Sequence, residues 1–95
     1  NNQDYIGIRF SAASVNAVIN RHGDLPFTVD VTLDGRSLTK EQAGSDIEFA
    51  EGRSYFRVVE GRLYRIVDQP VFSSHELKLS SNSDDFALFA FTFGS

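Results

Sequence analysis

The chain has no cysteine, no methionine, no tryptophan and only two prolines. Without cysteine there are no disulfide staples, no thiolate nucleophile, no Cys-based zinc site and no redox chemistry carried by these residues themselves. A charged n-region followed by an apolar h-region is missing, as is any run long enough to span a bilayer. Neither a signal peptide nor membrane insertion is therefore expected of this segment. Nine Lys and Arg against thirteen Asp and Glu give a net charge of -4, which repels phosphate and argues against nucleic acid as a partner. HExxH, GxSxG, a phosphate loop and a dinucleotide fingerprint are all absent, and the glycines sit at turn positions rather than ahead of a helix.

What is present is one domain's worth of chain, 95 residues with 41% hydrophobic and 23% charged content, enough apolar material for a packed core. Starting at Asn1 with no methionine, it reads as a single module, residues 1–95, excised from a longer polypeptide. Period-2 alternation dominates, the signature of half-buried strands. Phe27, Val29, Val31 and Leu33 alternate with Thr28, Asp30 and Thr32, and Asp34-Gly35 supplies a tight hairpin turn before Arg36. Further strands are expected at Tyr5–Phe10, Val15–Asn20, Ile47–Ala50, Tyr55–Val59, Leu63–Val67 and His75–Leu79. Ser11–Ser14 should form a corner, residues 20–26 a surface loop, and Asp68-Gln69-Pro70 lead into another loop. Glu51-Gly52 and Glu60-Gly61 read as hairpin tips, and Thr39–Ser45 as at most one short helical turn. Continuously apolar Phe86–Phe93 predicts a central strand. The fold class expected is all-β, an antiparallel β-sandwich of jelly-roll type.

Three groupings could carry chemistry. His22 and His75 could serve catalysis only beside a carboxylate in a cleft, and their spacing in the chain does not suggest one. Asn82, Asp84 and Asp85 supply the oxygen ligands that a structural calcium would need, although an exposed Ser/Asn/Asp turn has the same composition. Tyrosine rings beside charged side chains suit sugar binding, since the ring stacks on C–H faces while its neighbours hydrogen-bond the hydroxyls. Tyr5, Tyr55 and Tyr64 are the available rings, with Arg57, Arg62 and Arg65 nearby. Alternation places Tyr55 with Arg57, and Arg62 with Tyr64 and Ile66. The candidate ligand-binding set is Tyr55, Arg57, Arg62 and Tyr64, and each tyrosine fits equally the role of a half-buried strand residue.

An ordered set of phrases adds to this reading. Val31-Thr32-Leu33-Asp34-Gly35, Ala43-Gly44-Ser45-Asp46-Ile47, Arg62-Leu63-Tyr64-Arg65-Ile66-Val67, His75-Glu76-Leu77-Lys78-Leu79 and Phe89-Ala90-Phe91-Thr92-Phe93-Gly94 together resemble the C-terminal domain of DipZ-type and related thioredoxin-family proteins. The resemblance implies a β-sandwich similar to carbohydrate-binding modules, following a thiol-disulfide oxidoreductase domain that works outside the cytoplasm, with no catalysis by this part. It supplies no ligand residues. Asp34, Gly35, Gly44, Asp46 and Tyr64 then read as turn and packing determinants, with Asp46 accepting from loop amides and Gly35 taking positive φ. The expected partners are the thioredoxin-like domain of the same chain and a glycan or a protein client. The alternative is a structural domain that packs on that neighbour or dimerises, with no glycan ligand.

Overall fold

The computed structural model describes residues 4–21, 26–81 and 86–94. Seven strands are present: β1 Asp4–Arg21, β2 Phe27–Leu33, β3 Arg36–Ser37, β4 Glu48–Ala50, β5 Arg53–Val58, β6 Arg62–Ser81 and β7 Phe86–Gly94. They pair antiparallel in the order β4-β5-β2-β6-β1-β7, with β3 on β2. No helix occurs among the described residues.

Two strands are too long for the molecule that contains them. At a rise of about 3.3 Å per residue, the 18 residues of β1 and 20 of β6 would each run about 60 Å if straight, whereas the longest dimension is 37 Å. Both must bend, and they bend together. Ala12 pairs with Ser73 and Ser14 with Asp68, so one residue of β1 stands opposite four of β6, and residues 69–72 bulge out of the ladder. On one side of this bulge, β1 and β6 join β2, β3, β4 and β5 in the larger layer. On the other, Ser14–Ile19 and Arg62–Asp68 join β7 in the smaller one. The expected sandwich layering is therefore made by halves of one continuous sheet, and that sheet does not close into a barrel.

The inner faces meet in a core built by alternation. Val29, Val31 and Leu33 of β2, Phe56 and Val58 of β5, and Leu77 and Leu79 of β6 face Val15, Ala17, Ile19, Tyr64 and Ile66. Phe56 and Tyr64 touch across the layers, with ring centroids 5.2 Å apart. Buried Ser54 ties the larger layer together, since its hydroxyl donates to the Val31 carbonyl at 2.6 Å and accepts the Leu38 amide at 2.9 Å. Satisfied in both directions, it costs little to bury.

The hairpins follow from their turn residues. Asp34-Gly35 and Glu51-Gly52 all have positive φ, which makes two-residue primed turns whose twist matches the flanking strands. Thr39 to Gln42 forms a single turn, closed by the Gln42 amide on the Thr39 carbonyl at 3.1 Å. Three expectations are corrected. The Ser11–Ser14 corner and the loop after Asp68 are bends within continuous strands, because β1 and β6 remain strands on either side of the slip. The Phe86–Phe93 strand lies at the end of the sheet rather than at its centre. An apolar run records which side-chain faces are covered, not whether both backbone edges are paired, and Phe93 is 52% exposed.

Among the described glycines, Gly44 lies tightest against neighbouring backbone. Its amide donates to the Ile66 carbonyl at 2.9 Å, and a Cβ built there would lie 2.3 Å from the Arg65 carbonyl oxygen. Backbone cannot swing aside as a side chain can. Gly44→Ala is expected to lower stability by more than about 2 kcal/mol in urea denaturation. A change within about 0.5 kcal/mol would show that this segment does not lie against β6.

Candidate functional site

The alternation that buries β2 and β5 on one side builds a polar face on the other. Tyr5 of β1 pairs with Ser80 of β6, Ser80 with Asp30 of β2, Asp30 with Tyr55 of β5, and Tyr55 with Glu48 of β4. Two tyrosines therefore stand in one row across the outer face, three strand spacings or about 14 Å apart, with a hydroxyl and a carboxylate between them. Tyr5 is 63% exposed, and the Lys78 ammonium lies 4.5 Å from its ring centre. Arg53 lies 5.3 Å from the Tyr55 ring centre and is held there by Asp30, through Nη2 at 2.7 Å and Nε at 3.2 Å. Both groups are solvated, so this pair contributes orientation more than stability. Arg57, on the same face and paired in register with Thr28, is exposed and has no ion-pair partner among the described residues.

The four sequence-derived ligand candidates do not share this surface. Tyr55 and Arg57 do. Tyr64 is fully buried against Phe56, with the Arg62 guanidinium 3.9 Å from its ring centre. The Tyr64 hydroxyl donates to the Glu60 carbonyl at 2.7 Å and accepts the Val59 amide at 3.3 Å, which fastens the β5–β6 turn. Tyr64 thus presents no open ring to a ligand. Alternation placed it correctly with Arg62 and Ile66 but leaves open which face looks inward. Tyr5 completes the row in its place, and only the strand order reveals that β1 and β5 share a face. Asn82, Asp84, Asp85 and His22 lie outside the described residues. Among the described residues, no three of His, Asp and Glu gather as a metal site.

Arg62 instead organises a turn. Its Nη2 lies 2.9 Å from Asp46 Oδ1, and Asp46 Oδ2 accepts the Arg65 amide at 2.8 Å. The hydrogen bond from Arg62, joined by the Arg65 amide, holds the Asp46 carboxyl below the usual carboxylate range against the opposing effect of burial.

A second cluster lies where the sheet bends. His75, 18% exposed at its side chain, places Nδ1 2.5 Å from Asp34 Oδ2 and Nε2 2.8 Å from Ser73 Oγ. Asp34 stays in place because Oδ1 accepts the Glu76 amide, and its own amide donates to the Glu76 carbonyl, both at 2.8 Å. Its carboxyl is also held low, first by His75 and then by the Glu76 amide. An adjoining cleft of about 340 Å³ is lined by Arg9, Phe10, Asp34, His75 and Glu76 among others. His75 therefore does lie beside a carboxylate in a cleft. Sequence spacing could not show this, because the two residues are 41 positions apart.

Because the folded chain holds Asp46 more acidic than the unfolded chain does, its contribution to stability is complete above the usual carboxylate range. It is lost as the pH falls through the lowered pKa. Asp46→Asn should destabilise by roughly 1 kcal/mol at neutral pH, and the difference from the native chain should shrink as acid is added. A pH-independent difference in melting temperature would contradict this.

Among the described residues, no helix is long and apolar enough to cross a membrane. Neither comparison with curated proteins nor comparison with solved structures finds a match. Comparison with protein families matches residues 1–94 to the family described as the thioredoxin-like C-terminal domain. With the match spanning nearly the whole all-β chain, the protein belongs to the thioredoxin-like C-terminal domain family.

Proposed function

We propose that this chain is an accessory binding module of a thioredoxin-family protein, and that it holds a glycan on the outer face of its larger layer. Membership of a thioredoxin-like C-terminal domain family is consistent with an accessory role. The observation that carries the glycan reading is the row Tyr5, Ser80, Asp30 and Tyr55. Two ring planes on one rigid sheet, separated by groups that donate to and accept from hydroxyls, suit a short oligosaccharide lying across the strands. Arg53, oriented by Asp30, and the exposed Arg57 supply further donors beside Tyr55. Tethering a glycan-bearing client in this way raises its effective concentration at a neighbouring redox domain. Such a ligand fits a site of action outside the cytoplasm.

A second reading rests on a different observation. Val71 and Phe72, both 63% exposed, lie on the bulge of β6, and Phe93 is exposed on the terminal strand β7. Large exposed apolar side chains at one end of a sandwich favour docking against a protein surface, such as the thioredoxin-like domain, with no sugar involved.

Isothermal titration with a panel of neutral and acidic oligosaccharides separates the two readings. Tyr5→Ala and Tyr55→Ala should each raise Kd about fivefold or more, equivalent to about 1 kcal/mol of lost stacking, while the melting temperature moves by only a few degrees. Tyr64→Ala should instead cost about 3 kcal/mol or more of stability, as loss of a core ring does. Absence of binding across the panel, or a Kd unchanged by both outer-face substitutions, would remove the glycan reading.

A further inference from the structure

The hydrogen bonds at the bend form a directed chain with a chemical consequence independent of sugar binding. A carboxylate accepts, so in its neutral form His75 donates from Nδ1 to Asp34 and turns the Nε2 lone pair toward Ser73. The Ser73 hydroxyl then donates to His75 and accepts the Gln69 side-chain amide at 3.3 Å. In order, the geometry presents an orienting carboxylate, an imidazole, a hydroxyl and a neighbouring amide N–H donor. These are the parts that acyl transfer requires.

From this geometry we infer that Ser73 is an acyl-accepting nucleophile and that the site hydrolyses small carboxylic esters. The reaction balances without any co-reactant beyond water. The Ser73 Oγ–carbon bond forms as His75 Nε2 takes the hydroxyl proton, and the negative charge on the former carbonyl oxygen is met by the Gln69 amide. The bond to the leaving oxygen breaks as His75 returns the proton to it. Water repeats the sequence on the acyl-serine, releasing the acid and restoring Ser73. Phe10, 6.0 Å from His75 between ring centres and stacked on Phe93 at 6.1 Å, is a core ring that reaches the adjoining cleft, where its exposed edge would meet a short acyl or aryl group. Asp34 is a positioning residue that fixes the tautomer of His75. Its side chain is 54% exposed, so solvent screens it more than a buried carboxylate would be screened, and turnover is expected to be slow.

The primary test is labelling of the native chain with a fluorophosphonate, read by intact mass and peptide mapping. One adduct on Ser73 is expected. Ser74→Ala is the control, since the Ser74 hydroxyl bonds Ser11 at 2.6 Å, and it should label as the native chain does. With p-nitrophenyl acetate, Ser73→Ala and His75→Ala should lose at least nine tenths of the hydrolysis, and added imidazole should restore part of it to His75→Ala only. Asp34→Asn, which keeps a residue tolerant of the turn's positive φ, should lower kcat at least tenfold with little change in KM. A chain that takes no label, takes it on another residue, or hydrolyses equally well as Ser73→Ala would overturn the inference. The labelling result on the native chain decides the matter even if a substituted chain fails to fold.

Discussion

The pairing of β1 with β6 is shared by both layers, and the position of everything else follows from where that pairing slips. The slip at Ala12–Ser14 opposite Asp68–Ser73 lets two strands of about 60 Å contour fit a molecule 37 Å long. It turns the apolar faces of the two halves toward each other, so that Phe56 on one meets Tyr64 on the other. A one-residue change of register would turn every side chain of the affected strand to its opposite face. The core and the outer face are thus set by the same ladder.

Both candidate sites are products of that ladder. Upstream of the slip, the regular register aligns Tyr5 with Ser80 and, through β2, with Tyr55, giving a polar row whose Ser80, Asp30 and Tyr55 are flanked by paired strands on both sides and whose Tyr5 is flanked by β6 alone. At the slip itself the regular alternation is interrupted, and His75, Ser73 and Gln69 gather beside the β2–β3 turn that carries Asp34. Regular sheet makes a platform suited to binding, and irregular sheet makes a cluster of converging polar groups. The first suits the proposed accessory module, and the second carries the proposed acyl-accepting centre.

Much of the fold was legible in the chain, because short-range physics decides it. Alternation in Phe27–Leu33 and the Asp34-Gly35 turn name a hairpin without reference to anything distant, and Glu51-Gly52 does the same. Asp46 as an acceptor of loop amides, and Gly44 as a turn or packing position, came instead from the phrases that carry the family resemblance. Strand neighbours were not legible. The edge position of β7, the burial of Tyr64 and the alignment of Tyr5 with Tyr55 all depend on which strands lie side by side, which period-2 patterning does not encode. The Asp34–His75 contact needs the same long-range knowledge. Residue type could name Tyr55 and Arg57 for the outer face, but only strand order could replace Tyr64 with Tyr5.

The most direct test of the outer-face reading is a solution NMR titration of the isotopically labelled chain with soluble oligosaccharides, read residue by residue. Saturable shifts concentrated at Tyr5, Asp30, Arg53, Tyr55 and Ser80, with the core amides of Ile66 and Leu77 undisturbed, are the result the glycan reading predicts. Spectra unchanged at millimolar sugar, or shifts confined to Val71, Phe72 and the residues around Phe93, would contradict it and place any contact at the end of the sandwich instead.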